Sequence, residues 1–312
     1  ATENIFFSSI ARCQHLSISQ QLDAGCRYLD LRLRVKGDWL IAVHGITPCF
    51  VPENGTAKEL TLQQILDELY TFLRQNPSET ILVSVKYDGG KQDSRFCSLF
   101  YHTIERMPYR WYTENRLPSV GEARGKAVLL RRFELLGYAL SGQNGGIDLT
   151  SAVWRNMSGG KTLGYHIGRI PGISGKVQEL CLQDCYELGV RDKWFGAILP
   201  LLNRGRYHGE LLLNFFSCTG RLFPVAAALP LNHRFEKTEV PTLEKGGILI
   251  FDFLDAPLAQ RVYSQNPDYR ECASAAPPDE RAYDAPRQTT LSRYIAAGSN
   301  GLYRIFNKGV RV

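Results

Sequence analysis

An α/β fold of the barrel type, with repeated β-α units around a parallel sheet, is what these 312 residues predict. Three observations carry the expectation. A composition of 44% hydrophobic and 22% charged residues supplies enough apolar side chains for a large core. Short β-branched and leucine-rich runs alternate with longer amphipathic stretches, as repeated β-α units require. Polar residues also recur at the ends of those runs with the two-residue spacing of one strand face. Length by itself admits one large barrel or two small domains.

In chain order, the predicted strands are Tyr28 to Val35, Leu40 to His44, Thr80 to Lys86, Ala127 to Phe133, Glu179 to Tyr186, Glu210 to Phe216 and Gly247 to Phe253. Predicted helices lie between them at Thr61 to Arg74, Ser94 to Arg106, Arg191 to Asn203 and Ala256 to Ser264. Thr61 stands as an N-cap ahead of the Leu62, Ile65, Leu66, Leu69 stripe, and Asn76-Pro77 closes that helix. Residues Gly137 to Gly175, rich in Gly, Ser and Asn, read as a long excursion between two strands. From these runs the barrel domain is expected to cover residues 1–268. Residues 269–312 form a polar linker and a C-terminal extension, with a short helix from Thr289 to Ala297.

A net charge of +6 suits an anionic partner. The Lys and Arg residues are scattered among acids rather than gathered in a block, which disfavours nucleic acid. No apolar run approaches the roughly 20 residues that span a bilayer, so membrane contact must be peripheral. Ile46, Phe50 and Val51 after His44, and Tyr109, Trp111 and Tyr112 flanked by Arg106, Arg110 and Arg116, are the candidate contact residues. The eight cysteines show no CxxC pair and no His partner at zinc spacing, so no metal site is expected; Cys181 and Cys185 read as buried free thiols. The start ATENIFF reads as a processed or trimmed N-terminus. Sequons at Asn54 and Asn156 favour a secreted, extracellular protein.

The polar strand ends point to chemistry. Tyr28 leads to Asp30 and Arg32, Ala42 to His44, Leu82 and Ser84 to Lys86, and Val128 and Leu130 to Arg132. Later runs repeat the pattern: Leu182 leads to Asp184 and Tyr186, Leu212 to Asn214, and Ile248 and Ile250 to Asp252. In a parallel barrel the carboxyl ends of the strands meet at one mouth, where active sites of that architecture lie. Three strong cations around a His fit an anionic substrate, and the fork of Arg fits a pair of phosphoryl oxygens. The competing reading is a salt-bridge layer that merely closes the barrel.

The run Gln20-Gln21-Leu22-Asp23-Ala24-Gly25-Cys26-Arg27-Tyr28-Leu29-Asp30-Leu31-Arg32, followed by His44-Gly45, resembles the core motif of the phosphatidylinositol-specific phospholipase C catalytic (X-type) domain family. Matches continue in order through Asn76-Pro77-Ser78-Glu79-Thr80, Lys86, Gly125-Lys126, Arg131-Arg132, Gln183-Asp184-Cys185-Tyr186, Phe251-Asp252-Phe253 and Asn266. The resemblance implies a distorted TIM-type (β/α) barrel and cleavage of phosphatidylinositol to diacylglycerol and a cyclic inositol phosphate. It implies that His44 is the general acid, that Arg32 stabilises the phosphorane and that Asp30 orients Arg32. It also implies that Lys86, Arg132, Asp184 and Tyr186 bind inositol; Asn214 is taken as a further binding residue from its strand-end position. Calcium-dependent relatives carry a carboxylate where this chain has Arg32, so the resemblance points to the bacterial-type, metal-independent branch, with no cofactor.

That family uses two histidines, the first in a P-G-T-H-D-S-like segment that the nineteen residues before Gln20 do not contain. His15 reads as structural. The expectation is therefore a barrel lacking its N-terminal strand, with Asp252 as the carboxylate that would orient such a His, and impaired turnover for the chain as given. Two other functions compete: a metal-dependent glycerophosphodiester phosphodiesterase, and a catalytically impaired homologue that binds phosphoinositide or membrane.

Overall fold

The computed structural model describes residues 12–53, 56–140, 145–150, 153–155, 157, 164–173, 176–204, 210–219, 223–238 and 247–264. The expected extension over 269–312, its helix, Asn266 and the asparagines of both sequons lie outside the described residues.

Helix α1 (Ile18–Asp23) is opened by a capping box between Ser17 and Gln20 and leads into β1 (Tyr28–Lys36). Strand β1 turns at Gly37, whose φ of +58° suits glycine, into its antiparallel partner β2 (Trp39–His44). Three short strands follow, β3 (Thr47–Pro48), β4 (Phe50–Glu53) and β5 (Thr56–Glu59), the last two forming a separate ribbon. Helix α2 (Leu62–Gln75) begins with the Thr61–Gln64 capping box and buries Ile65, Leu66, Leu69, Phe72 and Leu73 on one face. Such a cap is worth about 1 kcal/mol, and each fully buried Leu about 1.5–3 kcal/mol, so packing outweighs the cap in holding this helix.

Then come β6 (Thr80–Tyr87), α3 (Phe96–Ile104), β7 (Trp111–Tyr112), α4 (Val120–Ala123), β8 (Lys126–Arg131), β9 (Ile147–Asp148), β10 (His166–Pro171) and β11 (Val177–Gln183). Helix α5 (Val190–Lys193) runs through a π-helical turn, Trp194–Ile198, into α6 (Leu199–Arg204). Strand β12 (Glu210–Phe215), helix α7 (Pro224–Lys237), strand β13 (Ile248–Ile250) and helix α8 (Ala256–Tyr263) complete the described chain.

The strands form two sheets, β3-β2-β1-β6-β8-β7 with β9 on β8, and β10-β11-β12-β13. Strands β1, β6 and β8 are parallel in the first, and β11, β12 and β13 in the second. One apolar cluster joins the two: Tyr28, Leu82 and Val128 from the first sheet pack with Leu182, Leu213 and Ile248 from the second. The residues of opposite parity on the first sheet, such as Leu31, Val83 and Leu129, pack outward with α2 and α3. The described strands thus enclose an interior core with helices outside, the layering of a β/α barrel. Among the described residues no strand stands between β1 and β13.

All seven expected strands are present. Helix α7 and strand β10 are among the elements that were not expected. Helix α7 carries Pro224 in its first turn, where a missing N–H costs nothing, but Pro230 in its interior breaks the pattern that a helix prediction relies on. Strand β10 lies inside the expected excursion and pairs antiparallel with β11. Its Gly168 lies against Val153, where a Cβ would come within 2.9 Å of the carbonyl oxygen, so a side chain would force the loop off the strand.

Candidate active site

Parallel pairing sets the site. Strand β1 aligns with β6 so that Asp30 faces Ser84 and Arg32 faces Lys86, while Ser84 faces Leu130 on β8. One step further, the Arg132 N–H donates to the Val85 carbonyl at 2.8 Å. Tyr28, Leu82 and Leu130 of the same parity are core residues, so the polar residues that continue these series stand above the core at the carboxyl ends of the strands. There they line a cavity of 1450 Å³, together with His44, Asp184, Tyr186 and Asp252.

Adjacent like charges on a sheet repel, and interleaved carboxylates offset that repulsion. Asp30 accepts from Ser84 Oγ and Arg132 Nη1, both at 3.0 Å, and its second oxygen lies 3.7 Å from Arg32 Nε. Burial raises the Asp30 carboxyl, but the guanidinium groups of Arg132 and Arg32 outweigh it and hold the group below the usual carboxylate range. Arg32 is held on its other side by Asp88, 3.7 Å from Nη1, and the same Asp88 oxygen accepts the Gly45 N–H at 3.2 Å. Asp88 therefore ties Arg32 to the turn that follows His44.

The Arg132 guanidinium carbon lies 3.5 Å from the centre of the Trp154 ring, which also donates from Nε1 to Asp184 at 3.3 Å. Arg132 Nη2 stands 3.9 Å from the same carboxylate. Burial pushes Asp184 up, partly offset by Arg132 and Lys193. Lys86 is pushed down by burial and by Arg32 and Arg132. No carboxylate of a described residue comes within ion-pair distance of its ammonium, so among these three cations Lys86 keeps its charge for a ligand.

Across the cavity, His44 Nδ1 lies 3.7 Å from Cys13 Sγ. Burial pushes the Asp252 carboxyl up to about 7, against the pull of Arg32. Residues 13 and 14 run beside this strand end: Phe253 N–H donates to the Cys13 carbonyl, and the Gln14 amide bridges the Phe251 carbonyl and the Leu254 N–H. Exposed His15 stacks on Phe253, with ring centres 6.2 Å apart, and does not line the cavity.

The structure thus gathers Asp30, Arg32, His44, Lys86, Arg132, Asp184, Tyr186 and Asp252 at one mouth. Asn214 is the exception. Leu211, Leu213 and Phe215 face the interior, so Asn214 shares the outward face of Leu212. It is fully buried there, accepting from Gln183 Nε2 at 2.7 Å and donating to the Ile198 carbonyl. The run Leu211-Leu212-Leu213 is apolar on both faces, and a period of two cannot tell inside from outside in such a strand.

The aromatic cluster expected at a membrane is likewise displaced. Trp111 and Tyr112 are buried, and β7 pairs with the amino-terminal half of β8, opposite the mouth. Cys181 and Cys185 are buried free thiols, as expected. Two residues of the site were missed. Asp88 continues the Leu82, Ser84, Lys86 series and was legible by parity, whereas nothing in the local pattern marks Trp154 as the plate beneath Arg132.

Fold and site define an α/β barrel with a cation-lined mouth at the carboxyl ends of its strands. Residues 4–133 match the model of the family described as phosphatidylinositol-specific phospholipase C, X domain. A 1-phosphatidylinositol phosphodiesterase of Listeria monocytogenes is 26% identical over 271 residues, covering 82% of this chain and 73% of its own length, so the likeness extends well past the X domain. A Staphylococcus aureus enzyme of the same name is 29% identical over 130 residues, 39% of each chain. Among solved structures, phosphatidylinositol-specific phospholipases C from L. monocytogenes and S. aureus superpose with TM-scores of 0.59 and 0.61. They share 24% and 23% identity; the first covers 82% of this chain and 84% of its own, the second 78% of each, which supports a TIM-type barrel across the described core. Another S. aureus structure, at TM-score 0.60, concerns modulation of that enzyme's membrane binding.

Proposed function

We propose that this chain is a phospholipase C that cleaves phosphatidylinositol by metal-free acid–base chemistry. The observation that carries the reading is the rung of Arg32, Lys86 and Arg132, with His44 at the same mouth. The inositol 2-hydroxyl oxygen attacks phosphorus and gives its proton to a base. The bond from phosphorus to the glycerol oxygen breaks as His44 protonates that oxygen. A cyclic inositol phosphate and diacylglycerol result. Arg32, held between Asp30 and Asp88, offsets the charge that builds on the phosphoryl oxygens. Lys86, Arg132, Asp184 and Tyr186 bind the inositol hydroxyls, and Asp252 orients the base.

The test is incubation of the protein with phosphatidylinositol vesicles in EDTA. Slow release of diacylglycerol and cyclic inositol phosphate is expected, roughly 10²–10⁴-fold below the rate with a histidine base in place. Activity that EDTA abolishes and Mg²⁺ or Ca²⁺ restores overturns the metal-free reading in favour of a glycerophosphodiester phosphodiesterase-like site. Vesicle binding with no product makes the chain a binding module.

Contact with the membrane is part of the same proposal. Ile46, directly after the His44-Gly45 turn, is 84% exposed, and Phe223, just ahead of α7, is 54% exposed. An exposed Ile beside the mouth is placed to enter the lipid interface. An I46S/F223S double variant should bind phosphatidylinositol vesicles roughly tenfold more weakly in sedimentation, from the lost burial of two large side chains. Its turnover of a monomeric short-chain substrate should be unchanged. Undiminished vesicle binding refutes this docking face.

A further inference from the structure

Lys193 is the one fully buried lysine among the described residues, and the chemistry proposed above does not use it. A buried ammonium is costly unless hydrogen bonds repay its lost hydration. Here they converge on one turn. Lys193 Nζ donates to Gln183 Oε1 at 2.7 Å and to the Cys185 carbonyl at 3.2 Å. Gln183 Oε1 also accepts the Cys185 N–H at 2.9 Å. The Gln183 Nε2 group in turn donates to Asn214 Oδ1 at 2.7 Å and to the Phe215 carbonyl at 2.8 Å.

The short stretch from Gln183 to Cys185 is therefore gripped from behind through a side-chain amide, an N–H and a carbonyl, and anchored to β12. Asp184 lies inside that grip and faces the cavity, where it meets Trp154 Nε1 and Arg132. Tyr186 follows, its N–H donating to the Asp184 carbonyl at 3.1 Å. The π-helical turn that begins at Trp194 puts Lys193 at a break in the regular helix, a common place for a functional group.

We propose that Lys193 is a positioning residue for headgroup binding, acting through Gln183 and Cys185 to hold Asp184 and Tyr186 at the cavity wall. The proposal rests on the reading of the cavity as an inositol phosphodiester site. The groups that act on the ammonium are Asp184 and Cys185 at the end of β11, Cys218 beyond β12 and Asp252 beyond β13. Burial lowers its pKa to about 8, with Asp184 opposing. Above that pH the amine loses its charge and its hydrogen bonds to the turn weaken.

The test uses Lys193→Met, which keeps the length and apolar bulk of the side chain but removes its donors. KM for a monomeric short-chain phosphatidylinositol should rise about fivefold with kcat within about twofold, the size expected of a lost hydrogen-bonded hold. Gln183→Leu should do the same, and the double variant should be no worse than either single one, because both break one link. In the wild type, KM should rise as pH passes about 8, a limb that Lys193→Met lacks. Amide exchange over residues 184–187 should quicken in the variant while α2 stays protected. Unchanged KM and unchanged exchange overturn the proposal. If Lys193→Met does not fold, a wild-type KM that stays flat as the pH passes about 8 overturns it. A wild type without turnover sinks the reading of the cavity instead, and the exchange rates then decide whether Lys193 holds the turn.

Discussion

An Arg32→Ala protein should turn over phosphatidylinositol roughly 10²–10³-fold more slowly than the wild type, with its melting temperature little changed. Both halves follow from the same contacts. Arg32 is the only one of the three rung cations bracketed by two carboxylates at 3.7 Å, a distance that leaves its donors turned partly toward a ligand. Its side chain is 29% exposed, so the two ion pairs contribute little to stability. When Arg32 is removed Asp30 keeps Ser84 and Arg132, and Asp88 keeps the Gly45 N–H, so neither carboxylate is left stranded. The loss should fall on kcat, because the charge that Arg32 offsets is largest in the transition state. A variant that keeps its turnover, or that unfolds while its folded fraction stays active, would return the rung to the role of a salt-bridge layer.

His44→Ala should cost roughly 10²–10⁴-fold in kcat, and the size of the loss should depend on the leaving group. A general acid matters most when the departing oxygen is a poor leaving group, as the alkoxide of a glycerol is. With a nitrophenyl ester of inositol phosphate, whose leaving group departs without a proton, the deficit should shrink to about tenfold or less. An equal deficit on both substrates would mean that His44 shapes the pocket rather than donating a proton.

The legible part of the site was the part carried on half-buried strand ends. Tyr28, Asp30 and Arg32 share one parity, and their neighbours Leu29 and Leu31 pack outward, so a period of two put Asp30 and Arg32 on the cavity side. That logic failed at Asn214, where apolar residues fill both faces of β12 and the polar side chain was assigned to the wrong one. It had no purchase on Trp154, which reaches Arg132 and Asp184 from a non-strand segment after β9. It also overlooked Lys193, because a lysine on a helix usually points to water, and only tertiary packing turns this one inward. Helix α7 was lost to its two prolines, whose positional tolerance depends on where the helix begins.

The alignment of β1 on β6 has a consequence for what variation this protein can absorb. Arg32 stands beside Lys86 only because the two strands pair without offset from Tyr28 opposite Leu82. Inserting one residue between Tyr28 and Arg32 would rotate Arg32 toward the helical layer and bring an apolar neighbour to the mouth. The apolar stripe would be inverted in the same step, so no compensating point change could restore both. Length changes should therefore be tolerated where the chain passes between elements, as between Phe133 and Ile147, and excluded from the few strand positions beneath the rung. Natural relatives of this chain would then differ in loop length while keeping the count from Tyr28 to Arg32 constant.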